Sequence, residues 1–216
     1  MSRYVVIDLE MCRMPKGMKK SQTPLRNEII EIGAVLLDES LEIADTFKSY
    51  VSPRFLKLDS YIENLTGITE KDLQNAPYFK DTIESFVGWL PEDAILVSWS
   101  ESDEHQIRKE VTVNGVDSPK LCKMLDEWVD CQKTFSEKMD SPKVYRLSEA
   151  LAITDIAYED GAHDALVDAK NTAQLFAKMK REKKLRLNSY YLAEDSSQSS
   201  VFNPFAELLA NFKVTA

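Results

Sequence analysis

The sequence predicts an α/β domain built on a mixed sheet. Three strand-like segments follow one another near the start of the chain. Beyond them, helical apolar spacing alternates with short apolar runs. At 216 residues the chain is long enough for one domain with a full core and too short for two large ones.

Residues 3–9, rich in valine and isoleucine, read as a buried strand. Residues 12–27 are polar and carry Pro15, Gly17 and Pro24, so they read as a loop. Residues 28–37 and 43–51 form the second and third strands, joined around Asp38-Glu39-Ser40 in a hairpin. Helical spacing covers 59–66, 70–75 and 79–90, with Thr69 and Ala76-Pro77 as punctuation. Residues 94–99 read as a short buried strand, 101–114 as a helix and 127–131 as a fifth strand. A short helix is expected over 147–154 and a long one from about Asp164 to Leu185. Residues 194–200 are polar and of low complexity, which suggests a linker. After it Asn203-Pro204 suits a helix start, and Phe205, Leu208, Leu209 and Phe212 share one helical face. Such a tail suits docking on its own domain or on a second copy of the chain.

Composition closes several routes. No apolar run approaches the roughly 18 residues of a membrane span. The first apolar stretch contains Asp8 and Glu10, which a signal peptide would exclude, so a cytoplasmic protein is expected. Cys12, Cys122 and Cys131 are odd in number and lack Cys-x-x-Cys spacing, arguing against a disulfide framework and a thiolate zinc site. A formal net charge of −9 weighs against a nucleic-acid partner. A cluster of acids that binds divalent cations would remove that objection, because the cations reverse the local charge.

Three acidic features carry the chemistry. Asp8 and Glu10 stand two apart on a strand and therefore share a face. Two carboxylates there repel each other and lose hydration unless a metal pairs them, or unless that face is open to solvent. Asp103 follows the strand ending at Trp99 and falls in the first turn of a helix, where negative charge is favoured in any case. His163 and Asp168 are five apart. Were both helical, they would point about 140° from each other. His163 therefore belongs on the loop, with Asp164 as N-cap, and Asp168 faces the sheet from the helix. An aspartyl-phosphate enzyme also opens on a strand-end aspartate. It would want a second aspartate where Glu10 stands, and it gives His163 no role.

Strand Asp-x-Glu, an aspartate opening a helix, then His-x4-Asp opening a later helix together resemble the DEDDh 3′–5′ exonuclease superfamily over roughly residues 3–185. The segments Asn27-Glu28-Ile29-Ile30-Glu31-Ile32-Gly33-Ala34-Val35 and Asn64-Leu65-Thr66-Gly67-Ile68-Thr69 support the likeness. Val6-Ile7-Asp8-Leu9-Glu10-Met11-Cys12 and Ser98-Trp99-Ser100-Glu101-Ser102-Asp103 look most like the branch of histone-mRNA and small-RNA trimming exonucleases and their bacterial relatives. The second motif departs from the commoner form, leaving Glu101 and Glu104 as substitutes for Asp103.

The resemblance implies a ribonuclease H-like fold, a central mixed five-stranded sheet flanked by helices. It implies an exonuclease domain over residues 1–187, with the linker and amphipathic helix over 188–216. It assigns two Mg²⁺ or Mn²⁺ ions to Asp8, Glu10, Asp103 and Asp168, hard ligands that suit those metals, and makes His163 the general base. The substrate it implies is the 3′ end of a single-stranded nucleic acid, released as nucleoside 5′-monophosphates. The resemblance places Met11, Leu65 and Thr66 against its terminal base, with ordinary core packing the other reading for Leu65. Of two basic stretches, Lys16, Lys19, Lys20 and Arg26 follow the first motif and suit substrate steering. Lys178, Lys180, Arg181, Lys183, Lys184 and Arg186 suit a solvated helix end.

Overall fold

The computed structural model describes residues 3–19, 21, 23–159 and 161–191. Five strands form one sheet: β1 (Arg3–Arg13), β2 (Asn27–Leu37), β3 (Ile43–Tyr50), β4 (Ala94–Ser98) and β5 (Val129–Asp130), in the order β3-β2-β1-β4-β5. The first three pair antiparallel, while β4 and β5 join β1's other side in parallel. This is the mixed five-stranded sheet of the ribonuclease H-like class, flanked by eight helices among the described residues. They are α1 (Ser60–Thr66), α2 (Glu70–Gln74), α3 (Phe79–Trp89), α4 (Glu101–Asn114), α5 (Pro119–Asp126), α6 (Cys131–Lys138), α7 (Leu147–Ile153) and α8 (Ala165–Arg181).

Strand alternation sorts the core. Val5, Ile7 and Leu9 of β1, with Ile32 and Ala34 of β2, pack under α3, α4 and α5 against Phe79, Phe86, Ile107 and Leu121. On the other face Val6, Val35, Leu37 and Val97 meet α6, α7 and α8 through Phe135, Leu151 and Phe176. Further along β1, Cys12 joins Ile30 and a third cluster with Ile62 of α1 and Leu73 of α2. Between Val6 and Cys12 on that face stand only Asp8 and Glu10. The site is therefore a polar gap between two apolar clusters.

The structure corrects several sequence expectations. β1 runs to Arg13, into the expected loop, because Met11, Cys12 and Arg13 pair with Ile29, Glu28 and Asn27. The fifth strand shrinks to two residues, since Cys131 already begins α6, with Asp130 as its cap. Helices α5 and α6 were not anticipated. The last long helix ends at Arg181, four residues short of Leu185, whose side chain turns back into the second core cluster. The expected linker over 194–200 and the helix after Asn203 lie outside the described residues.

Candidate active site

Cross-strand registry lays the site out in two rows. Asp8, Gly33 and Lys48 are neighbours across β1, β2 and β3, and Glu10, Glu31 and Tyr50 form the next row. Neighbours across a sheet share a face, so Glu31 stands directly beside Glu10. A bulge follows at once, where Ile30 is the extra residue of β2 as the pairing passes from Glu10–Glu31 to Met11–Ile29. Gly33 makes the notch into which α8 descends. A Cβ there would lie 2.2 Å from the carbonyl carbon of Ala165 and from the nitrogen of Leu166.

The N-terminus of α8 thus lands on the sheet between Asp8 and Lys48. Asp164 caps the helix, accepting from the N–H groups of Leu166 and Val167 at 3.0 and 3.2 Å. The Ala165 N–H donates to Glu31 Oε2 at 3.0 Å. Asp168, one turn in, accepts from the Tyr158 hydroxyl at 2.5 Å and from the His163 backbone N–H at 3.0 Å. His163 is exposed on the preceding loop with φ +67°, a left-handed conformation uncommon for a residue with a side chain. Ligand atoms of Glu10, His163 and Asp168 lie within 4.8 Å of one another. Asp103 enters from the first turn of α4 and is 5% exposed. Glu101 and Glu104 flank it. Glu101 is exposed, and Glu104 is turned to Arg108 in an ion pair.

Hydrogen-bond donors distinguish the other buried acids from these, although burial also pushes Glu110 up to about 7. Glu28 is 3% exposed, but the backbone N–H groups of Arg54, Phe55 and Leu56 donate to it. Glu110, equally buried, accepts from the Ile29 N–H and the Gln106 amide. For Asp8, burial and the carboxylates of Asp103, Asp168, Glu10 and Glu31 all push the pKa well above the ordinary range. Burial, then Asp168, Glu31 and Asp103, push Glu10 up to about 8. Burial pushes Asp103 up to about 7, against the Ser102 hydroxyl and the backbone N–H groups of Asp103 and Leu9. Burial and its bond to Asp168 raise the Tyr158 hydroxyl as well. One further atom is poorly served. Glu31 Oε1 is buried without an aligned hydrogen bond, although Lys48 Nζ lies 3.0 Å away. Hard oxygen donors, carrying charge that no cation among the described residues balances at Asp8 and Glu10, are a donor set that fits divalent metal ions.

Other expected residues are placed less centrally. Met11 is partly buried and packs against the first core cluster. Leu65 and Thr66, also partly buried, end α1, and the Thr66 hydroxyl is engaged with the Ile62 carbonyl and the Ile68 N–H. Lys16, Lys19 and Arg26 are exposed, and Lys20 lies outside the described residues. The sequence reading missed Glu31, Lys48 and Tyr158 as site residues. Only Glu31 left a local signal, an acid inside the apolar run Ile29–Leu37.

Comparison with known proteins gives the family and the fold. The 3′–5′ exoribonuclease 1 of Rattus norvegicus is 27% identical over 174 residues, covering 75% of this chain and 50% of that protein. A DNA polymerase III PolC-type of Caldanaerobacter subterraneus is 27% identical over 180 residues, covering 82% of this chain and 11% of that protein. The chain thus spans half or less of these relatives. The crystal structure of the nuclease domain of 3′hExo, a DEDDh family member bound to rAMP, superposes with a TM-score of 0.73. It covers 87% of this chain and 96% of that one at 24% identity, a likeness of fold. The Exonuclease (RNase_T) family model matches residues 5–176, and the chain belongs to that family.

Proposed function

We propose that this protein is a metal-dependent 3′–5′ exonuclease acting on single-stranded nucleic acid. The observation that carries the reading is the gap in the apolar face of β1. There Asp8 and Glu10 meet Asp103 and Asp168 without a balancing cation among the described residues, beside an exposed histidine. The exonuclease domain is read as residues 1–187, with residues 188–216 appended to it.

Asp8, Glu10, Asp103 and Asp168 would hold two Mg²⁺ or Mn²⁺ ions. Bound there, such ions supply Lewis-acid neutralisation of the scissile phosphate and of the leaving oxygen, and an acidified water. His163 is exposed on its loop, so its imidazole can reach a water beside Glu10 and Asp168 and take the proton as that water attacks phosphorus. The bond from phosphorus to the 3′ oxygen of the preceding nucleotide breaks. A nucleoside 5′-monophosphate leaves, and the shortened strand keeps a 3′ hydroxyl. Asp168 holds the histidine loop through its bond from the His163 N–H, while Tyr158 fixes the other oxygen of Asp168. Met11, Leu65 and Thr66 would face the terminal base. The rAMP bound to the nuclease domain named above is a nucleoside monophosphate of the kind this reaction releases.

The test uses 5′-labelled single-stranded RNA and the matching DNA with Mg²⁺, Mn²⁺ or EDTA. A metal-dependent ladder shortening from the 3′ end is expected, and its RNA/DNA ratio names the substrate class. Binding of the strand in EDTA with no shortening in either metal would instead establish a silent binding module.

A further inference from the structure

Lys48 has no part in the reaction above, yet among the described residues it is the one lysine or arginine whose side chain pairs with acids of the site. It projects from β3 across from Gly33, on the far side of the notch from Asp8. Its ammonium lies 2.5 Å from Asp164 Oδ2 and 3.0 Å from Glu31 Oε1. Asp164 is the N-cap of α8 and the immediate neighbour of His163. Glu31 is 1% exposed, stands across from Glu10, and takes its other bond from the first residue of α8. One cation therefore fastens the edge strand, the spare buried carboxylate and the start of the helix that carries Asp168.

We infer that Lys48 is a positioning residue. It pins the capping turn of α8 into the Gly33 notch, so that His163 stays beside Glu10 and Asp168, and it keeps Glu31 out of the metal-binding set. The inference rests on the exonuclease reading. Among the described residues six carboxylates reach this end of the sheet, and the reaction as drawn uses four of them. The two that remain, Glu31 and Asp164, are the two that Lys48 touches. A lysine serving only as a surface ion pair would not need a partner as buried as Glu31. Its loss would leave both the metal-binding set and the histidine loop unchanged.

The test compares Lys48→Met, Lys48→Arg, Glu31→Gln and the double variant Lys48→Met/Glu31→Gln on the full chain. It uses Mn²⁺ titration calorimetry, kcat and KM on a single-stranded oligonucleotide, and thermal unfolding. Lys48→Met should lose about tenfold or more in kcat with KM little changed, the signature of a misplaced group rather than weaker substrate binding. It should also bind Mn²⁺ more tightly, because Glu31 becomes an unbalanced ligand beside Glu10. Lys48→Arg should restore both readouts, and adding Glu31→Gln to Lys48→Met should restore the Mn²⁺ isotherm. A Lys48→Met protein with wild-type kcat and isotherm overturns the inference. So does a double variant whose changes are the plain sum of the single ones. If Lys48→Met does not fold, Lys48→Arg and the double variant decide the matter by the same two readouts. Wild-type protein that takes up Mn²⁺ but cleaves nothing refutes the exonuclease reading alone, and the isotherms still decide the role of Lys48.

Discussion

Glu10→Gln should stabilise the metal-free protein while abolishing its activity. Glu10 is pushed from 4.5 to about 8, first by burial and then by Asp168, Glu31 and Asp103. A carboxyl with a raised folded pKa binds its proton more tightly in the folded state. The stability it contributes is complete below the unfolded pKa and is lost as pH rises toward the folded one. Here that window runs from 4.5 to about 8, with a slope of about 1.4 kcal/mol per pH unit. At about pH 7 the ionisable side chain should therefore cost the fold roughly 3 kcal/mol, which glutamine of the same shape does not. For a chain of this size that is an increase of about 6–12 °C in Tm. The assay is thermal unfolding of both proteins in EDTA across the window. Tm of the wild type should fall relative to Glu10→Gln as pH rises, and the two should converge in acid. Mg²⁺ should raise the wild-type Tm and leave that of Glu10→Gln much less changed. Parallel Tm curves with pH, or a variant that unfolds below wild type at neutral pH in EDTA, would refute the reasoning.

The remaining predictions concern geometry. Gly33→Ala should push α8 off the sheet, because its Cβ would lie 2.2 Å from backbone atoms of Ala165 and Leu166. Denaturant unfolding should show a loss at the upper end of the about 1–3 kcal/mol typical of overpacking, with activity falling further than stability. Asp168→Ala should be inactive, whereas Asp164→Ala should retain measurable turnover and lose about 1 kcal/mol as a cap. The reverse ranking in a ladder assay would reassign the third motif. His163→Ala should keep Mn²⁺ binding by calorimetry and lose about 10²–10⁴ in kcat; loss of Mn²⁺ uptake would make it a ligand instead of a base. Tyr158→Phe removes one bond to Asp168 and should cost about 1 kcal/mol in unfolding free energy, with wild-type stability counting against that bond.

Asp8 and Glu10 were legible because strand periodicity is local, and an acid inside a run of valine and isoleucine contradicts its surroundings. The loop position of His163 followed from helical angles, and the choice of Asp168 over Asp164 from the spacing of the resembled motif. Glu31 showed the same contradiction, but so did Glu28, and one sequence cannot tell them apart. Glu28 collects three backbone N–H groups from a loop that folds back over it. Glu31 meets Glu10 only because of the pairing register and the bulge beside it. Lys48 and Tyr158 reach the site from an edge strand and a long loop, and nothing near them in sequence records the helix they meet. Helix α5 was readable after all. Ser118 caps it, Pro119 occupies its first turn, and Leu121, Met124 and Leu125 repeat at helical spacing. Helix α6 left less, with only Cys131 and Phe135 buried, and it begins where a strand ends.

The net charge of −9 becomes intelligible once the charges are located. Asp8, Glu10, Glu31, Asp103, Asp164 and Asp168 face one end of the sheet, with Lys48 paired to Glu31 and Asp164 alone. Formally this single site holds more than half of the excess. Left as it stands it would repel a phosphodiester, and burial with mutual repulsion already pushes Asp8 and Glu10 upward. Two divalent cations would offset most of the charge at the place where phosphate must sit. An acidic pI is then no obstacle to a polyanionic substrate, because metal uptake would turn the repelling element into the attracting one. On this reading, loss of metal should weaken strand binding as well as abolish cleavage.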